Sequence, residues 1–182
     1  MTPADFYRSC RVSALRLETR RDYPITGEED RRRRGAFFTD GRLLEPGPGK
    51  LDDLRLIGQL SMAGIGVGRV HLVDVPLTSY LEYELLAYSE NVAAGEDVRI
   101  VSLGVHPELG ADADGQDFVV FDGWTGHGAV VWFDYDDDGQ FTGWRVDLDR
   151  AVVEYTQAFY ETVCACSVPL DVFTAASVAA AG

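Results

Sequence analysis

Side chains able to move protons crowd into one stretch of this sequence, where Tyr80, Glu82, Tyr83, Glu84, Glu90, Asn91, Glu96 and Asp97 follow one another closely. Paired carboxylates serve as general acid and base when burial or a neighbouring charge pushes their pKa values apart. Local structure accounts for part of the same pattern. Ser79 and Glu82 have the spacing of a capping box, and Glu96 and Asp97 follow Gly95 where a turn is expected. The residues left as candidate contacts for a ligand or partner are Tyr80, Glu84, Asn91, Glu96 and Asp97, joined further along by Asp117 and Trp124. No residue is assigned a catalytic role, and neither a metal nor a cofactor is expected.

Other patterns lead to plainer chemistry. Asp134, Asp136, Asp138 and Gly139 imitate the start of a calcium loop, but Arg145 occupies the position that needs a bidentate carboxylate. The flanks alternate like strands, so a hairpin turn is expected there. Gly64, Gly66 and Gly68 follow a helical pattern and enter a strand, the reverse of a dinucleotide-binding turn. They predict a helix stop and close backbone packing. His71, His106 and His127 lie too far apart for a local ligand pair. Cys164 and Cys166 are one residue closer than a redox or zinc pair, and with Cys10 the count is odd, so free thiols are expected.

The formal net charge of −14 disfavours phosphate backbones and anionic membranes, so direct nucleic-acid or membrane binding is not expected. No apolar run reaches the length of a membrane span, and residues 1–10 lack an apolar signal core, which predicts a cytoplasmic protein. Glu28, Glu29 and Asp30 precede Arg31, Arg32, Arg33 and Arg34, and the opposite charges are expected to pair on a solvated face.

These side chains need a frame. Residues 5–19 suggest a short helix followed by an extended stretch. Leu51, Leu54, Ile57 and Leu60 mark a helix ended by Gly64. Residues 67–75 form a strand stopped by Pro76, and a helix follows from Ser79 with Leu81, Leu85 and Tyr88 on one face. Residues 98–103, 118–122, 129–135 and 141–147 add strands. Asp149 opens a last helix with Val152, Tyr155, Phe159, Val163 and Cys166 along one side. The fold class is therefore α/β: a single domain with a mixed five-stranded sheet flanked by helices. A strand–helix–strand unit with a right-handed crossover comes first, and antiparallel strands follow. Residues 1–49 are expected to be an irregular segment packed on the core, 50–173 the α/β domain, and 174–182 a disordered tail.

The segments Pro76 to Leu85, Asn91 to Ile100, Asp117 to Asp122 and Asp134 to Phe141 together resemble a large actinobacterial family of domains of unknown function. The resemblance runs from about Leu15 to Phe173. Members are commonly encoded beside helix-turn-helix regulators, so it implies a regulatory partner of that kind. The strand–helix–strand unit and the loop into Phe118 to Gly123 are also similar, in topology, to a half-domain of the phospholipase D superfamily. With that family's aspartate placed on Asp122, its lysine position holds Asp117 and its histidine position holds Gly115. This likeness implies a catalytically silent relative, of a kind that serves as a ligand sensor. The function expected first is a non-catalytic regulatory or interaction protein that binds a helix-turn-helix regulator or a small ligand. The alternative is a metal-independent enzyme of specialised metabolism with a pocket lined by Tyr, Asp and Glu. DNA mimicry through an acidic face is a third reading, and a homodimer stays open.

Overall fold

The structure is a computed structural model that describes residues 2–25 and 27–181, the side chains of 177–181 excepted. Among the described residues, seven strands form one sheet in the order β6-β5-β4-β1-β2-β3-β7. The strands are β1 (Ser13–Glu18), β2 (Gly66–Val73), β3 (Asp97–Ser102), β4 (Asp117–Phe121), β5 (Ala129–Tyr135), β6 (Phe141–Asp147) and β7 (Val168–Pro169). Strands β1, β2 and β3 run parallel, while β4, β5, β6 and β7 each pair antiparallel with their neighbours. The helices are α1 (Pro3–Ser9), α2 (Glu28–Asp40), α3 (Pro48–Met62), α4 (Ser79–Ala94), α5 (Pro107–Ala113), α6 (Arg150–Ala165) and α7 (Leu170–Ala181).

The mixed α/β class agrees with the sequence, but the sheet has seven strands rather than five. One of the two additional strands, β1, lies at the sheet's centre, between β2 and β4. Residues 1–49, expected to be irregular, thus supply α1, β1 and α2. Helix α7 enters the span expected to be a tail, though Gly182 and the side chains of 177–181 lie outside the described residues.

Because alternate strand residues point to opposite sides, each strand serves two layers. One face carries Leu17, Val70, Leu72, Val101, Phe118 and Val120, and α6 covers it with Val153, Tyr160 and Val163. Gly68 admits this approach, since a Cβ there would stand 2.9 Å from the Tyr160 hydroxyl. The glycine reading holds, and Gly64, at φ +77°, stops the preceding helix as expected. The stripe of α6 differs from the expected one. Val153, Thr156, Gln157, Tyr160 and Val163 are buried, whereas Tyr155 is 74% exposed. Thr156 bonds back to the Val152 carbonyl at 2.8 Å, so two polar residues sit within the inward face and hide it from a hydrophobicity pattern.

The opposite face has two apolar ends. Helices α1 and α3 close one end over Ala14, Val67, Val119 and Phe121. Helices α4 and α7 close the other over Val73, Val98 and Ile100. Leu81, Leu85 and Tyr88 of α4 are buried as the sequence predicts, but Thr78 rather than Ser79 caps the helix, accepting from the Leu81 amide at 3.1 Å. The turn from Asp136 to Gln140 closes the β5–β6 hairpin, with Gly139 at φ +77°.

Candidate functional site

Between those apolar ends runs a row of charged side chains. Arg16 and Glu18 are two apart on β1, so they share a face. The parallel register sets Arg16 beside Arg69 and Glu18 beside His71 on β2. Both guanidiniums reach Glu18 Oε1, Arg16 Nη2 at 2.7 Å and Arg69 Nη1 at 2.8 Å. Tyr88 of α4 donates its hydroxyl to Glu18 Oε2 and lies 2.9 Å from His71 Nδ1. His71 Nε2 lies 3.0 Å from the Arg20 carbonyl. That carbonyl can only accept, so Nε2 carries the proton.

The row continues inward along α4. Arg69 Nε donates to Glu96 Oε1 at 3.1 Å, Asn91 donates to Glu96 Oε2, and Lys50 of α3 donates to Asn91 Oδ1 at 2.6 Å. From α2, Arg33 pairs with Glu90 at 2.5 Å, and Arg34 with Asp30 at 2.7 Å. Arg34 also lies 4.3 Å over the Tyr80 ring. These two arginines are 4% and 8% exposed, which corrects the expectation of a solvated charge run. They are drawn in because acceptors at Leu44, Tyr23 and Glu90 outside the helix, and Asp30 one turn earlier on it, receive them.

Above the row lies a cavity of about 620 Å³. Arg16, Glu18 and Arg69 form its floor; Tyr80, Tyr83 and Glu84 of α4, Lys50 and Asp53 of α3, and Phe133 and Phe141 of the hairpin form its walls. A larger and more open hollow of about 850 Å³ adjoins it past Tyr23 and Tyr80. The smaller cavity is the stronger candidate, because only there does the lining include the buried ion row. Such a volume suits an organic molecule of metabolite size.

The floor sets the protonation of its members. Burial alone would raise Glu18, but Arg16, Arg69 and His71 hold it below the usual carboxylate range. Glu84 goes the other way. Burial first, and then the negative charge of Glu18, push it up to about 8. His71 is lowered by burial, against the pull of Glu18. Lys50 is lowered by burial and by the nearby Arg69 charge. Two buried polar atoms of the lining, Arg16 Nε and Glu84 Oε2, have no hydrogen-bond partner among the described residues.

The residues singled out in the sequence divide into four groups. Tyr80 and Glu84 line the cavity. Asn91 and Glu96 stand behind its floor, where they orient Lys50 and Arg69. Asp117 lies at the start of β4, accepting from Tyr23 at 2.5 Å and Thr19 Oγ1 at 2.8 Å, with Tyr135 at 3.3 Å. The other two are elsewhere. Asp97 has a side chain 66% exposed beside Arg99, and Trp124 is 57% exposed, donating to Glu161 at 2.6 Å. The sequence reasoning passed over Arg16, Glu18, Arg69 and Lys50. The available signal was a charge at alternate positions of two strands that pair, Arg16 and Glu18 with Arg69 and His71.

No curated protein matches the chain. Every strand of the sheet and every wall of the cavity falls inside residues 2–175, the span matched by the model of a family described as a domain of unknown function (DUF6879), and the chain belongs to that family.

Proposed function

We propose that the protein is a non-catalytic regulatory domain that binds a small polar ligand in the cavity and passes its state to a partner protein. One observation carries this. The floor is held in place by ion pairs, yet Arg16 Nε on the floor and Glu84 Oε2 on the wall stay buried and unpartnered. Buried polar atoms are nearly always bonded, so a ligand that bonds both completes the site. Binding is favoured over turnover because the groups suited to proton transfer are engaged internally. His71 is held at both ring nitrogens, and Tyr88 is committed to Glu18.

The resemblance to actinobacterial proteins encoded beside helix-turn-helix regulators makes such a regulator the proposed partner. The likeness to a silent phospholipase D-like half-domain belongs to the same proposal. In that correspondence Asp122 is the aspartate, and here its carboxylate accepts from the amides of Arg11, Val12 and Ser13 at 2.7–3.1 Å. A carboxylate so used clamps backbone. No helix among the described residues is long and apolar enough to cross a membrane.

Calorimetry of the full chain against small organic acids, amides and amines tests the site. Binding is expected, and Ala87→Phe, which fills the lining, is expected to abolish it. Ligands that bind the filled variant unchanged would refute the assignment. One observation favours an enzyme instead: a Glu84 carboxyl at about 8 is a proton donor at neutral pH. In that case Glu84→Gln would bind substrate and lose turnover.

A further inference from the structure

Taking the cavity as the ligand site, we infer that its ligand is a small aromatic carboxylic acid, its carboxylate held by Arg16 Nε and the Glu84 carboxyl and its ring among the aromatic side chains of the wall. The acceptors of the floor are already used. Glu18 serves Arg16, Arg69 and Tyr88, while Glu96 serves Arg69 and Asn91. Asn91 Oδ1 serves Lys50, which pairs with no carboxylate among the described residues. Among the buried polar atoms of the lining, what stays unpartnered on the floor is therefore a donor. Arg16 Nε–H is one donor.

Glu84 supplies the second. Glu18 and Arg16 of β1, Arg69 of β2, Arg34 of α2 and Tyr88 of its own helix all face it. Burial and the Glu18 charge keep its proton on, so its O–H is available to donate. Lys50 and Asp53 of α3 complete the charged lining. Two donors in the lining of one cavity, within electrostatic reach of each other, fit the two oxygens of one carboxylate. A phosphate monoester would bring a second negative charge against Glu18 and Asp53. An amine would bring a positive charge against Arg16 and Lys50. The wall supplies the rest of the selectivity, since Tyr83, Phe133 and Phe141 offer ring surface to a flat apolar body.

Benzoate, phenyl phosphate and benzylamine, titrated into the full chain and followed by calorimetry and backbone amide NMR, separate these cases. Benzoate is expected to bind at about pH 6 and to weaken roughly tenfold or more by about pH 9, as Glu84 loses its proton. Glu84→Gln, which keeps a neutral donor, is expected to bind benzoate at the lower pH and to lose most of that weakening. Arg16→Lys, which keeps the charge but not the Nε–H, is expected to weaken benzoate by a similar factor. The pH comparison on the unmodified chain needs no variant to fold. Benzoate binding that is equal at both pH values overturns the inference. Tighter binding of benzylamine or phenyl phosphate at the cavity also overturns it, while leaving the cavity a ligand site. If none of the three perturbs amides around the cavity, the inference and the ligand-site reading fail together.

Discussion

Under α6 the sheet presents Leu17, Val70, Leu72 and Phe118, while on the reverse side the same strands present Arg16, Glu18, Arg69 and His71. The first set is stabilised by leaving water, at about 25 cal/mol per Å² of apolar surface buried. The second set works against folding until every charge finds its partner, because desolvating an ion costs several kcal/mol. A sheet with apolar side chains at those four positions would need no such matching. The ion row is thus the part of the core that stability alone does not explain. Departures from local folding rules of this kind are expected at functional sites.

Substitutions that break the contrast rank as follows. Glu18→Leu leaves the partly buried Arg16 and Arg69 without their shared carboxylate and is expected to cost about 3 kcal/mol in urea unfolding. Leu72→Ala on the apolar face opens a cavity beneath α6 and is expected to cost about 3 kcal/mol, with no effect of pH. If the Glu18 variant were as stable as the parent, the ion row would be dispensable packing.

A titration sharpens the comparison. Glu84 is raised in the folded chain from 4.5 to about 8, so its contribution is full below the lower value and is lost as pH rises through the higher one. Urea midpoints are expected to fall across that window, and Glu84→Gln is expected to flatten the fall. Smaller effects test the frame around the site. Thr78→Ala removes the cap of α4 and is expected to cost about 1 kcal/mol by thermal melting. Tyr155→Ser should stay within about 0.5 kcal/mol, since that side chain faces solvent; a larger loss would restore the stripe expected from sequence.

The legible parts of the molecule are those whose signal is local. Strands β2 to β6, the Asp149 cap of α6 and the β5–β6 turn follow from runs of a few residues. Tyr80, Glu84, Asn91 and Glu96 were visible because they stand close together in the chain. Arg16 and Arg69 were not, because the partner that lets a guanidinium be buried is remote. Arg69 meets Glu18 across 51 residues, Tyr88 meets Glu18 across 70, and Arg33 meets Glu90 across 57. Without those partners a charged residue reads as solvated surface, and β1 reads as an extended stretch rather than the centre of a sheet.

The central position of β1 also bears on how the chain is made. Glu18 precedes Arg69 by 51 residues, and Thr19 precedes its bonding partner Asp117 by 98. At cellular synthesis rates that second interval delays synthesis of the partner of the β4-side edge of β1 by roughly 5–20 seconds. An apolar strand with an open edge would be free to capture other nascent chains during that wait. Arg16 and Glu18, charged at alternate positions, make β1 a poor template for such pairing. Two of the side chains that floor the cavity, Arg16 and Glu18, thus have the placement expected of gatekeepers in the growing polypeptide.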